Sequence, residues 1–119
     1  MPSIVIRLDP GKLANPDADL RYEIPDLLAA RSDGALADDG YDYEADGDAM
    51  QIYLRITTAE VDHAVAMVIA FLETETLHDN DLSVAATVGV SESPGPVVST
   101  FEIVYPRGVA GTIEIPTHA

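Results

Sequence analysis

Met50-Gln51-Ile52-Tyr53-Leu54-Arg55-Ile56-Thr57-Thr58-Ala59-Glu60 changes periodicity halfway along. Met50, Ile52, Leu54 and Ile56 alternate with Gln51, Tyr53 and Arg55, the period of two expected of a strand with one buried face. Thr57-Thr58-Ala59-Glu60 reads as a capping box, with Thr57 at the cap and Glu60 reaching back. It predicts a long helix from Ala59 to about Thr76. Val61, Ala64, Val65, Val68 and Leu72 form its apolar stripe, and Met67, Ile69 and Phe71 fall outside that stripe. A helix apolar most of the way round is covered on more than one side. Either the other helix or a second copy of the chain is expected against it.

Upstream, Asp38 to Asp48 holds six acids in eleven residues, with Tyr41 and Tyr43 among them and Gly40 and Gly47 as punctuation. The tyrosines stand two apart, which predicts a short strand before the Asp46-Gly47 turn and a hairpin into Met50–Ile56. Nearer the start, the β-branched run Ser3 to Leu8 predicts a strand stopped by Asp9-Pro10-Gly11. Asn15-Pro16-Asp17 has the form of a helix start, with Asn15 as cap. Leu20, Ile24, Leu27 and Leu28 continue as a helical stripe. Pro25 lacks an N–H and its ring crowds the Arg21 carbonyl, so one short turn before Pro25 and a second helix from Pro25 to about Arg31, closed by Ser32-Asp33-Gly34, are expected.

Downstream, His78 to Asp81 reads as a loop and Leu82 to Val90 as a strand. Pro94 and Pro96 mark a loop, because neither donates to a ladder. Val97 to Tyr105 is expected as a strand with Phe101, Ile103 and Tyr105 on one face, and Val109 to Ile115 as a final edge strand. Helices separated by strand pairs imply an α+β fold. The expected architecture is a mostly antiparallel sheet with two helices on one face, a ferredoxin-like split β-α-β variant extended by C-terminal strands.

With 119 residues and no linker composition, the expectation is a single domain over residues 1–119. Twenty-one acids against six bases give a net charge of −15. That argues against nucleic-acid partners, whose phosphates need Lys and Arg, and against anionic membranes. The longest apolar run, Ala64 to Leu72, is nine residues, far short of a membrane-crossing helix. The N-terminus lacks the form of a signal peptide. A cytoplasmic location is the expectation. With no cysteine there is no disulfide or thiolate chemistry.

Catalytic patterns are weak, so the residues favour a binding protein over an enzyme. Gly89-Val90-Ser91-Glu92-Ser93 lacks the last glycine of a nucleophile elbow. Gly11-Lys12 lacks the earlier glycine of a phosphate loop. His63, His78 and His118 have no metal-ligand spacing. Asp42 to Gly47 resembles the opening of a calcium loop, but the twelfth position, which should be a bidentate Glu, is Tyr53. No cofactor and no metal is assigned. Arg7 and Arg55 sit on expected strands, where they either meet nearby acids or face an anionic ligand.

The acidic hairpin carries the functional expectation. Exposed carboxylates steer a basic partner and set specificity, and tyrosines anchor interfaces. The expected contact set is Asp38, Asp39, Tyr41, Asp42, Tyr43, Glu44, Asp46 and Asp48. The chain is therefore read as a non-enzymatic acidic protein that neutralises or regulates a basic protein partner, like immunity proteins and nuclease inhibitors in charge and size only. The alternatives are a homodimeric small-ligand-binding or regulatory domain, and a protein kept soluble by charge in a high-salt cell.

Overall fold

The computed structural model of the chain describes residues 3–13, 20–43, 50–77, 80–91, 100–105 and 111–114. In chain order the elements are β1 (Ser3–Leu8), α1 (Leu20–Arg31), β2 (Leu36–Tyr43), β3 (Met50–Ile56), α2 (Val61–Thr74), β4 (Thr76–Leu77), β5 (Asn80–Asp81), α3 (Leu82–Ala85), β6 (Ala86–Ser91), β7 (Thr100–Tyr105) and β8 (Thr112–Glu114). The fold is α+β. Six strands form one sheet in the order β2-β3-β1-β6-β7-β8, and β4 and β5 form a two-stranded ladder of their own. Every paired neighbour is antiparallel. β1 and β2, joined through α1, flank β3, while β3 and β6, which bracket α2, flank β1.

Both long helices lie on one face. Leu20, Ile24 and Leu28 of α1 share a buried cluster with Ala64, Val68, Phe71 and Leu72 of α2. Ile4, Ile6 and Leu8 of β1 and Met50, Ile52, Leu54 and Ile56 of β3 complete it from the sheet. The single buried face expected for Met50–Ile56 is too simple. Val5, Tyr53, Phe101 and Ile113 form a second cluster on the opposite face. Gln51 and Tyr53 are 1% and 2% exposed, leaving Arg55 as the exposed residue of β3. The Tyr53 hydroxyl donates to Gln51 Oε1 at 3.2 Å, so the buried hydroxyl and the amide oxygen are paired.

The C-terminal strands depart from simple alternation. Val88 opposes Tyr105 and Gly89 opposes Ile103, which leaves one extra residue in β7. That irregularity reverses the side-chain alternation. Tyr105 joins the helix-side cluster, whereas Phe101 and Ile103 pack on the other side, so these three do not share a face. The Tyr105 hydroxyl reaches the Ser83 carbonyl at 3.4 Å. Burial, then the charges of Glu73 and Asp81, push its pKa above the ordinary tyrosine value.

Three local expectations are corrected. α1 runs unbroken through Pro25. The lost bond to the Arg21 carbonyl is outweighed because Leu20, Ile24 and Leu28, on both sides of the proline, are essentially fully buried. The capping box does not form: α2 begins at Val61 with Glu60 at its cap and no side-chain cap. Thr57 is held instead by the sheet, its N–H donating to Ala35 O at 2.9 Å and its hydroxyl to Gly34 O. Leu82–Ala85 is a helical turn, capped by Asp81, whose side chain accepts from the Ser83 N–H, and β6 starts only at Ala86. That turn packs against α2 and covers part of its broad apolar surface. The expected Asn15 cap lies outside the described residues. No described helix is long and apolar enough to cross a membrane.

Candidate functional site

The acidic segment enters the sheet as an edge strand. α1 ends at Arg31, and Asp33 and Gly34 turn the chain with φ of 53° and 85°. The Ser32 hydroxyl accepts the Leu36 N–H at 3.0 Å, tying the helix end to the first residue of β2. β2 pairs antiparallel with β3 as expected, with Leu36 opposite Ile56 and Tyr43 opposite Met50, and the expected Asp46-Gly47 turn lies outside the described residues. β2 is longer than expected and occupies the outer edge of the sheet.

Its register shifts between Asp38 and Tyr41. Asp38 opposes Leu54 and Tyr41 opposes Ile52, so one extra residue is accommodated between them. Gly40 adopts φ 94°, a conformation L-residues resist, and its N–H donates to Asp38 Oδ1 at 2.9 Å. The consequence is functional. Ile56, Leu54 and Ile52 face the helices, and therefore so do Leu36, Asp38 and Tyr41. Uninterrupted alternation would have turned Tyr41 away from Asp38. The bulge instead places an acid and an aromatic side by side on the α1 side of the sheet.

Tyr41 meets Tyr22 of α1 there. Their ring centroids lie 5.7 Å apart at an interplanar angle of 83°, an edge-to-face pair, with the hydroxyls 3.4 Å apart. Tyr22 is 48% exposed and Tyr41 39%. Asp26, one turn beyond Tyr22, is exposed too. Of the expected contact set, Asp38 and Tyr41 are thus exposed together on one surface. Asp39, Asp42 and Tyr43 are placed on β2 by their backbone. Glu44, Asp46 and Asp48 lie outside the described residues. Tyr22 was missed, although it falls off the Leu20, Ile24, Leu28 stripe and so had to point away from the core.

Carboxylates are not confined to this edge. Asp62 and Glu73 of α2, Asp81 of β5 and Glu102 of β7 are also exposed. What distinguishes the β2 edge is the tyrosine pair. Charge and a bulge on an edge strand also discourage pairing with a foreign sheet.

The other candidates from the sequence do not come together among the described residues. Tyr53, the twelfth position of the calcium-like pattern, is 2% exposed inside the second cluster. Among the described residues no group of three metal-ligating side chains converges. Arg7 opposes Gln51 and Arg55 opposes Ser3, so the two arginines stand at opposite ends of the β1–β3 ladder, about 13 Å apart along the strands. They form no joint anion site. His63 is exposed on α2, and His78 and His118 lie outside the described residues. A groove of about 240 Å³ opens between the helices, lined by Leu28, Arg31, Met67, Ala70, Phe71 and Thr74. Arg31 there pairs with Glu75 and stands 5.2 Å from the Phe71 ring centroid.

No protein-family model matches the chain, and neither a curated protein nor a solved structure shows significant similarity to it.

The bulge geometry is testable at Gly40. A Cβ there meets no atom within 4 Å, so the cost of Gly40→Ala comes from the positive φ alone. A loss of about 1–2 kcal/mol in urea unfolding is expected. Nuclear Overhauser contacts between the Tyr22 and Tyr41 rings should weaken in the same variant. Unchanged stability with intact ring contacts would show that the bulge does not depend on glycine.

Proposed function

We propose that this protein is a non-enzymatic acidic binding protein that docks a basic protein partner on the β2 edge and the adjoining surface of α1. The observation that carries the reading is the exposed Tyr22–Tyr41 pair beside Asp38. Exposed aromatic anchors next to like-signed charges combine low-entropy contact area with electrostatic steering. The net charge of −15 supplies long-range attraction for a cationic protein.

The test combines charge neutralisation with salt. A variant carrying D38N, D39N, D42N and E44Q keeps side-chain shape and leaves an amide oxygen to accept the Gly40 N–H. Affinity capture at low ionic strength should recover a specific basic protein on the wild type and lose it on this variant. Binding should also weaken steeply as salt rises. The isolated variant should melt slightly higher, because self-repulsion is relieved. Equal capture by both proteins would remove the β2 edge from the reading.

The spread of exposed acids over α2, β5 and β7 favours a second reading, in which the charge keeps the protein soluble in concentrated salt. Under that reading the melting temperature climbs strongly with salt, and the four amide substitutions matter no more than four made on α2 and β7.

A further inference from the structure

We propose that the groove between α1 and α2 binds a small neutral molecule: two fused rings, aromatic, with one hydroxyl or N–H donor. The site lies apart from the β2 edge, and the inference does not depend on the docking reading above. The groove holds about 240 Å³. An apolar cavity of about 150 Å³ takes one benzene ring, so a second fused ring fits here. Leu28 and Phe71 join the groove to the buried core, whereas Ala70 and Thr74 are exposed and leave it open along α2. An apolar hollow with a few polar groups on its lining is the usual form of a small-molecule site.

Charge selects a neutral occupant. Arg31 is the charged residue of the lining, and its guanidinium is paired with Glu75. From His63 to Leu72 the sequence has no Asp, Glu, Lys or Arg. A carboxylate in the groove would meet Glu75 and the field of a chain with net charge −15, and a cation would meet Arg31. Two features favour an aromatic ring. The Arg31 guanidinium stands over Phe71 with about half its side chain still exposed, and a planar guanidinium also stacks on a second ring. Met67 brings a polarizable thioether, which makes favourable contacts with rings. The polar handle is Thr74. Its hydroxyl donates to Ala70 O at 2.7 Å, and the hydroxyl oxygen keeps lone pairs that accept from a ligand O–H or N–H.

Naphthol, its saturated counterpart decahydronaphthol, and naphthoate separate these contributions. Each is titrated into the full chain at neutral pH, with the Met67 methyl and Phe71 ring resonances followed by NMR. Naphthol should saturate with a Kd below about 1 mM and shift both residues. Decahydronaphthol should bind about threefold more weakly, and naphthoate at least about fivefold more weakly. Thr74→Val should weaken naphthol about fivefold. Ala70→Leu places a larger side chain in the groove and should abolish the shifts. Ala66→Leu, also exposed on α2 but off the lining, should leave them unchanged. The wild-type titration decides the site even if Ala70→Leu folds poorly. No saturable shift with naphthol, or equal binding by the Ala70→Leu variant, would overturn the site. Tighter binding of naphthoate would overturn its neutral character, and equal binding of decahydronaphthol its aromatic preference. Each of these outcomes leaves the β2 edge to its own test by salt-dependent capture.

Discussion

Gly89→Ala should lower the stability of this domain by about 3 kcal/mol, measured as the shift in urea-unfolding free energy. Gly89 lies in β6, opposite Val5 of β1 and Ile103 of β7. A Cβ built there would stand 2.7 Å from Phe101 Cβ, 3.2 Å from Val5 Cγ1 and 3.3 Å from Ile113 Cδ1. The last two neighbours are tips of side chains and can yield. The first is a Cβ attached directly to the backbone of β7, so relief requires the strand itself to move. Strand propensity alone would favour alanine over glycine by a few tenths of a kcal/mol, so the sign of the result separates packing from propensity. Truncating Phe101 leaves its Cβ where it was. The double variant G89A/F101A should therefore be no more stable than G89A. A rescue would mean that the ring, not the approach of the strands, forbids a side chain at position 89.

The second large effect is expected at Phe71. Its side chain is 3% exposed and belongs to the helix-side cluster, and its ring carries the Arg31 guanidinium. Phe71→Ala should cost about 3–5 kcal/mol through lost burial and the cavity left behind. Phe71→Leu keeps most of the volume and should cost under about 1.5 kcal/mol. Arg31→Ala breaks the ion pair with Glu75 and the ring contact at once, yet Arg31 is 48% exposed. Solvent screens that pair, and a loss below about 1 kcal/mol is expected. Thermal and urea unfolding of the three variants give the order. If Arg31→Ala proved as damaging as Phe71→Ala, the joint between α1 and α2 would be electrostatic rather than apolar.

The class of the fold was legible because it depends on periodicity. Met50–Ile56 alternates, Val61 to Leu72 repeats at helical spacing, and both patterns follow from which side of an element meets the core. The pairing of β2 with β3 was legible from the spacing of Tyr41 and Tyr43 ahead of the alternating run Met50–Ile56. Pro25 misled because a proline's local cost is visible in the chain, whereas the burial of Leu20, Ile24 and Leu28 that offsets it is not. Thr57 misled for a related reason: its hydroxyl could cap a helix or close a sheet edge, and Gly34, far away in the sequence, settled which. The same limit applies to the acidic edge. The density of Asp and Glu at 38–48 could be read directly, but the pairing of Tyr41 with Tyr22 could not.

Composition and spacing thus settle the layers of this protein, its strong negative charge and the identity of most core residues, since these depend on side-chain chemistry and on neighbours within a few positions. Folding settles two further things: the second apolar cluster behind the sheet, and the tyrosines beside Asp38. An extra residue in β2 turns Tyr41 onto the face of Asp38, and one in β7 puts Phe101 and Ile103 on the other face from Tyr105, where they meet Val5 and Tyr53, which point there by plain alternation. A shift of that kind is a property of two strands in register with one another, and neither strand records it alone.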